Sequence, residues 1–309
     1  MNAMAPAQGY DPGLTNQFAG QLRRAINKDG SFNVRRRGAT WTSWNPYLFL
    51  VDTTWLRFMG VVLGVFLLVN LLFATAFYWI GLQHLAGSRQ TSGVGPFASA
   101  FFFSVHTLTT VGYGNAYPTG FAANILAATE AAVGLMGFAL ATGLLFARFS
   151  RPSAKIVFSN HLLITKYGDI TSLQFRIANQ RNSNLLEVEA RMLLMTVEMI
   201  GGELRRQYID LPLERPRILF FPLTWTVVHP IDNSSPLYGK TGEDLRRMQA
   251  EVLILVKGFD DTFSQMVNVR YSYRHDEVVW GSRFLPAFTI DSRGDLVLEL
   301  GRVHDQGPR

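Results

Sequence analysis

Thr109-Thr110-Val111-Gly112-Tyr113-Gly114 is the stretch of this chain most able to do chemistry, and it would do so with main-chain atoms. A run with two glycines, a β-branched residue and an aromatic one, set between long apolar segments, can turn its carbonyls toward a common axis. Four copies around that axis would form an ion-coordinating pore. Residues for other chemistries are missing or dispersed. There is no cysteine, which removes disulfides, thiolate metal sites and cysteine nucleophiles together. His161, His229, His275 and His304 are scattered, so no structural metal is expected, and no Walker loop, HExxH or CxxC occurs. An enzyme is the least supported class.

The elements that would hold this stretch follow from the charge pattern. Of 309 residues, 48% are hydrophobic, and mean hydropathy is positive at +0.11. No Asp, Glu, Lys or Arg occurs over residues 58–88 or 90–129, whereas the second half is ordinarily charged. A membrane part followed by a water-soluble domain is therefore expected. The net charge of +6 does not point to nucleic acid, because of where the basic residues lie. Arg23, Arg24, Lys28, Arg35, Arg36 and Arg37 precede the first apolar segment, Arg148, Arg151 and Lys155 follow the second, and only Arg89 lies between. The positive-inside rule then puts both termini in the cytoplasm of a protein that crosses the inner (plasma) membrane more than once.

In chain order, residues 1–40 read as a polar cytoplasmic tail. Residues 41–54 carry Trp41, Trp44, Leu48 and Val51, a series at spacings of three and four that continues to Trp55, with Asn45 as N-cap and the helix proper from Pro46. This is an amphipathic element along the inner surface, or else an aromatic belt at the end of the first span. The pore domain, 55–150, begins with a span over 55–80. A helix over 96–109, opened by Pro96, is too short to cross and must turn back, so the filter at 110–114 should line a pore. The C-terminal dipole end of that helix favours a cation. A second span covers 121–149, with Phe138, Thr142 and Phe146 on one face. Glu130, its lone internal charge, either acts near the filter or is a neutral hydrogen-bonded carboxyl. Residues 151–309 alternate as strands, for instance Val188, Ala190, Met192 and Leu194, with an apolar run over 218–228 and one short helix over 241–249. The fold class is a membrane α-helical two-span pore domain with a re-entrant pore helix, plus a cytoplasmic immunoglobulin-like β-sandwich.

With these features in place, the chain resembles the inward-rectifier potassium channels, in particular their prokaryotic (KirBac-like) members. TTVGYG alone is shared among potassium-channel families. More specific are Ala147-Arg148-Phe149-Ser150-Arg151-Pro152, Val157-Phe158-Ser159, Arg176-Ile177-Ala178-Asn179, Val228-His229-Pro230-Ile231-Asp232, Ser235-Pro236-Leu237-Tyr238-Gly239 and Glu277-Val278-Val279-Trp280-Gly281. The resemblance implies a homotetramer, each chain with three identical partners. It implies K+ held by the carbonyls of Thr110, Val111, Gly112 and Tyr113, up to Gly114, and by the Thr110 hydroxyl, with no cofactor beyond the permeant ion. It puts the inner gate at Phe146 and the cavity lining at Phe138 and Thr142. It puts Asp261 in the cytoplasmic vestibule and contacts to anionic phospholipid at Arg57, Arg148, Arg151 and Lys155. The positive-inside rule would place basic residues there even without a lipid site.

Departures from the family set further expectations. Phe138 replaces the acidic residue of strong rectifiers, so rectification should be weak. His106 replaces a pore-helix Glu whose basic partner has no counterpart in Asn115-Ala116, and His106 and Glu130 are expected to meet behind the filter. Two rivals remain, a two-span potassium channel of another gating class and a membrane-anchored ligand-binding β-domain. Neither an Arg-repeat helix nor a cytoplasmic GxGxxG supports the first, and the second has no use for a re-entrant TVGYG.

Overall fold

The computed structural model describes residues 11–17, 20, 24–35, 37–38, 45–87, 95–150, 154–182 and 184–308. Trp41, Trp44, Arg23, Arg36, Arg89 and Arg151 lie outside the described residues. Two compact units emerge, residues 37–151 and residues 1–36 with 152–309.

The first unit is helical. Helix α1 (Pro46–Asp52) starts with proline in its first turn, and the Asn45 side chain accepts the Leu48 amide. Helices α2 (Trp55–Ile80) and α4 (Phe121–Phe149) are long and apolar enough to cross a membrane, with mean hydropathies of 2.4 and 1.7. Between them lies α3 (Pro96–Leu108), at 13 residues too short to do so. Strand β1 (Leu85–Ala86) pairs with β2 (Tyr117–Pro118), tying the segment after α2 to the segment after the filter. Phe77 of α2 and Phe103 of α3 meet edge to face at 4.9 Å in a small core with Ala74, Leu85 and Ala100.

The second unit is built from two five-stranded sheets. One joins β3 (Ile156–Phe158), β4 (Leu162–Tyr167), β5 (Ile170–Asn179), β9 (Thr224–Ile231) and β12 (Val278–Trp280). The other joins β6 (Leu185–Ile200), β7 (Glu203–Asp210), β8 (Arg217–Phe220), β10 (Glu251–Asp260) and β11 (Gln265–Arg274). Val188, Ala190, Met192 and Leu194 of β6 are buried in a core shared with Leu173, Phe175 and Ile177 of β5, as the two-residue period requires. The apolar run over 218–228 is two strands, because Pro222 has no amide for the ladder. Helix α5 (Gly242–Arg247) is closed by a Thr241–Asp244 capping box.

The motifs that suggested a family are packing devices here. Ser159 and Arg176 exchange main-chain and side-chain hydrogen bonds, with Ser159 Oγ accepting the Arg176 amide at 3.1 Å. His229 Nδ1 lies 2.6 Å from the Pro212 carbonyl, so it carries the proton and donates there. Nε2 then accepts from Ser235 Oγ at 2.9 Å. Burial holds this imidazole below its ordinary value, consistent with that neutral tautomer.

The N-terminal segment is more than a tail. Residues 24–35 form a strap over β10 and β11, with Ile26 buried against Met195, Tyr208 and Leu253. The Glu251 carboxylate accepts the Ala25 amide at 3.0 Å, and Ser272 Oγ donates to the Ile26 carbonyl at 2.7 Å. Glu277 takes Arg24 and, at 2.7 Å, Lys28. Burial alone would raise the Glu277 carboxyl, but Lys28, the Arg274 amide and Arg24 outweigh it and hold it below its ordinary value of 4.5. A lowered carboxyl stabilises the docked strap fully above the ordinary value and loses that contribution as pH falls through the lowered one. The protection factor of the Ala25 amide, its exchange rate relative to the intrinsic rate at the same pH, should be high at neutral pH and fall only below pH 4.5, and Glu277→Gln should lower it at neutral pH.

Candidate functional site

The segment that follows α3 is hung from that helix by its amides. The Thr110 N–H donates to the Thr107 carbonyl at 3.0 Å, and the N–H groups of Val111 and Gly112 both donate to the His106 carbonyl, at 3.0 and 3.3 Å. In a trans peptide the carbonyl of one residue points opposite the amide of the next. With those amides aimed at α3, the carbonyls of Thr110 and Val111 face together away from it. The backbone keeps this sense, because Thr110, Gly112 and Gly114 sit at φ +59°, +53° and +79° while Val111 and Tyr113 stay out of the left-handed region. Alternation in the sign of φ along a segment gathers amides on one side and carbonyls on the other. Thr110 is β-branched and unfavourable at positive φ, a local strain of about 1–3 kcal/mol of the kind found at functional sites. A row of aligned carbonyls replaces a cation's water shell.

Behind this row, the His106 ring meets the Tyr113 ring edge to face at 4.9 Å. Glu130 does not pair with His106. Its Oε1 is bound to Ser104 Oγ of α3, which also contacts Asn70 of α2. Helix phase explains the difference: His106 is two residues beyond Ser104, about 200° around α3, so when one faces Glu130 the other faces the filter. Four residues on from Glu130, Gly134 touches the end of α3 so closely that a Cβ there would lie 2.0 Å from the Leu108 carbonyl oxygen. Sequence reasoning passed over Asn70, Ser104 and Gly134. Asn70 and Ser104 had a signal, being polar side chains in uncharged apolar runs. Gly134 had none among the other small residues of its helix.

Along α4, Phe138 and Phe146 are 74% and 72% exposed in the single chain, and Thr142 between them is exposed too. At spacings of four they make one continuous unpartnered face. Arg148, two residues after Phe146, turns to α1. Its guanidinium donates to the carbonyls of Leu50, Val51 (3.1 Å) and Thr53 (2.7 Å) and lies 4.7 Å from the Trp55 and Phe58 ring centres. These carbonyls at the end of α1 have no intrahelical partner, so a cation is well placed there. Arg57 and Lys155 are exposed, and so is Asp261 in the turn between β10 and β11.

The comparisons with known proteins cover both units. Residues 52–151 match the family described as "Ion channel", and residues 156–306 match "Inward rectifier potassium channel C-terminal domain". The chain is 38% identical over 285 residues to the inward rectifier potassium channel Kirbac3.1 of Paramagnetospirillum magnetotacticum, covering 91% of this chain and 95% of that one. It is 28% identical over 324 residues to the G protein-activated inward rectifier potassium channel 1 of Rattus norvegicus, covering 94% of this chain and 62% of the longer relative. The Homo sapiens protein of the same name gives 28% over 316 residues, with 92% and 61% covered. Two apolar helices flanking a carbonyl-presenting loop, followed by a β domain, are matched nearly end to end, and the chain belongs to the inward-rectifier potassium channel family, as a membrane channel and not an enzyme.

Proposed function

We propose that four copies assemble around residues 110–114, so that the carbonyls of Thr110, Val111, Gly112 and Tyr113 form a potassium-selective filter on the four-fold axis. The observation that carries this reading is the double donation of Val111 and Gly112 to the His106 carbonyl, which turns the carbonyl row to one side. The exposed Phe138, Thr142 and Phe146 face then lines the cavity, and a ring of Phe146 closes it by dewetting. With an apolar Phe138 where strong rectifiers carry an acidic residue, rectification is weak, and Asp261 supplies the acidic cytoplasmic position that the family resemblance assigns. Both termini lie in the cytoplasm. The basic residues that flank the two spans support this by the positive-inside rule. Barium-sensitive rubidium uptake by liposomes of the purified protein tests the proposal. Uptake favouring rubidium over sodium is expected, and no uptake in any lipid would sink it.

Anionic lipid modulates this channel through Arg57, Arg151 and Lys155, each worth about 1 kcal/mol at an anionic surface. Arg148 has a different task, because its two terminal nitrogens already donate to carbonyls at the C-terminal end of α1 and of its cap residue Thr53. It holds the interfacial helix to the last turn of the gate-bearing helix. A lysine would keep the charge and lose the three-way fork. Arg148→Lys should therefore lower uptake roughly tenfold, from the loss of at least one charged hydrogen bond. The drop should be equal in neutral and anionic liposomes, whereas a lipid ligand would show it only in anionic ones.

A further inference from the structure

Asn70 of α2, Ser104 of α3 and Glu130 of α4 are fully buried and form one polar chain across three helices. The orientation of Asn70 is set from outside the chain. Its Nδ2 donates to the Phe66 carbonyl at 2.8 Å, so it shows Ser104 only acceptors, Oδ1 at 3.1 Å and its own carbonyl at 3.2 Å. The third neighbour of the Ser104 hydroxyl is Glu130 Oε1. A serine hydroxyl has one proton. Were the carboxyl ionised, that proton would serve three acceptors. Given to Glu130, it would leave both Asn70 oxygens against a bare lone pair; given to Asn70, it would leave two oxygens in contact with no proton between them. Glu130 Oε2 is buried with no hydrogen-bond partner, and among the described residues no Lys, Arg or His forms an ion pair with this carboxyl. A buried charge so poorly satisfied is strongly disfavoured. A proton on Oε1 resolves the three contacts of the Ser104 hydroxyl, because Glu130 donates to Ser104 and Ser104 shares its own proton between the two Asn70 oxygens, and it leaves Oε2 a neutral carbonyl oxygen, far less costly to bury than a charge.

We propose that Glu130 works in its neutral form as a hydrogen-bond donor, and that the Glu130-Ser104-Asn70 chain is a positioning element that fixes α3, and through it the filter, between the two spans. The register supports this. Glu130 meets Ser104, and one turn further along both helices Gly134 meets Leu108. The His106 carbonyl that holds the filter amides lies between those two contacts on α3. The inference rests on the potassium-channel reading only for its flux readout.

Infrared spectroscopy of the purified wild-type protein at neutral pH should show a protonated-carboxyl C=O band that Glu130→Gln removes. Glutamine supplies an amide donor to Ser104 without a charge, so this variant should keep rubidium uptake and selectivity over sodium within about twofold. Glu130→Ala and Ser104→Ala should each reduce uptake roughly tenfold through the orphaned buried partner. The double variant should lose little more than either single one. Absence of the band, or a Glu130→Gln variant as impaired as Glu130→Ala, would overturn the proposal. Wild-type protein that passes no rubidium overturns the channel reading instead, and the infrared band then decides the proton by itself.

Discussion

Gly134→Ala is expected to abolish selective rubidium uptake, while Gly137→Ala, three residues away on the same helix, leaves it near wild type. The added Cβ at 134 would sit 2.0 Å from the Leu108 oxygen, 2.9 Å from its carbonyl carbon and 3.1 Å from its Cα. These are backbone atoms, so no side chain can swing aside, and α4 must part from α3. Overpacking of this kind costs about 1–3 kcal/mol, and in the proposed tetramer it enters four times. The moving part is the end of α3, two residues past the carbonyl from which Val111 and Gly112 hang. At Gly137 an added Cβ meets nothing within 4 Å in its own chain. Both substitutions raise helix propensity equally, so the difference isolates the close approach. Equal uptake by the two variants, each eluting as the wild-type assembly, would show that this contact does not position the filter.

Gly112→Ala should remove selectivity by a different route. Within one chain a Cβ at 112 meets nothing within 4 Å, so the cost is conformational, at φ +53°. An L-residue held in that region loses about 1–2 kcal/mol, and the neighbouring Thr110 already carries the same burden at φ +59°. Relief by flipping to negative φ would pull the 112 amide off the His106 carbonyl and turn the Val111 carbonyl with it. Rubidium and sodium uptake should then approach equality, whereas Val111→Ala, which asks nothing new of the backbone, should preserve the preference. Retained selectivity in Gly112→Ala would remove the carbonyl row from the account.

The fold class was legible because its signals are one-dimensional. Two uncharged runs bracket a short third helix, and the alternation of Val188, Ala190, Met192 and Leu194 gives a strand with one buried face. The candidate filter was legible for the same reason, since its glycines and threonines are contiguous. Contacts between elements were not. The expected pairing of His106 with Glu130 used two polar residues that sequence proximity to the filter made plausible, but the 200° between Ser104 and His106 decides which one α4 meets. Arg148 read as a lipid ligand because charge near an interface is visible in sequence and unpaired carbonyls at the end of α1 are not. The run over 218–228 read only as apolar, because Phe220 and Phe221 flank Pro222 with apolar bulk, and the break that divides it into β8 and β9 comes from the missing donor.

The strap of residues 24–35 also has a consequence for biogenesis. Its partners lie 226 residues downstream at Glu251 and 253 residues downstream at Glu277. A ribosome therefore delivers α2, α3 and α4 to the bilayer before the strands that receive the strap exist. Until β10 emerges the core that receives Ile26 lacks Leu253, and until Glu277 emerges Arg24 and Lys28 lack the carboxylate they meet. The docked strap thus marks a chain synthesised past Glu277. A polypeptide stalled after α4 would have its pore helices inserted and would still display an apolar, basic N-terminal segment to the proteases and chaperones that sort unfinished proteins.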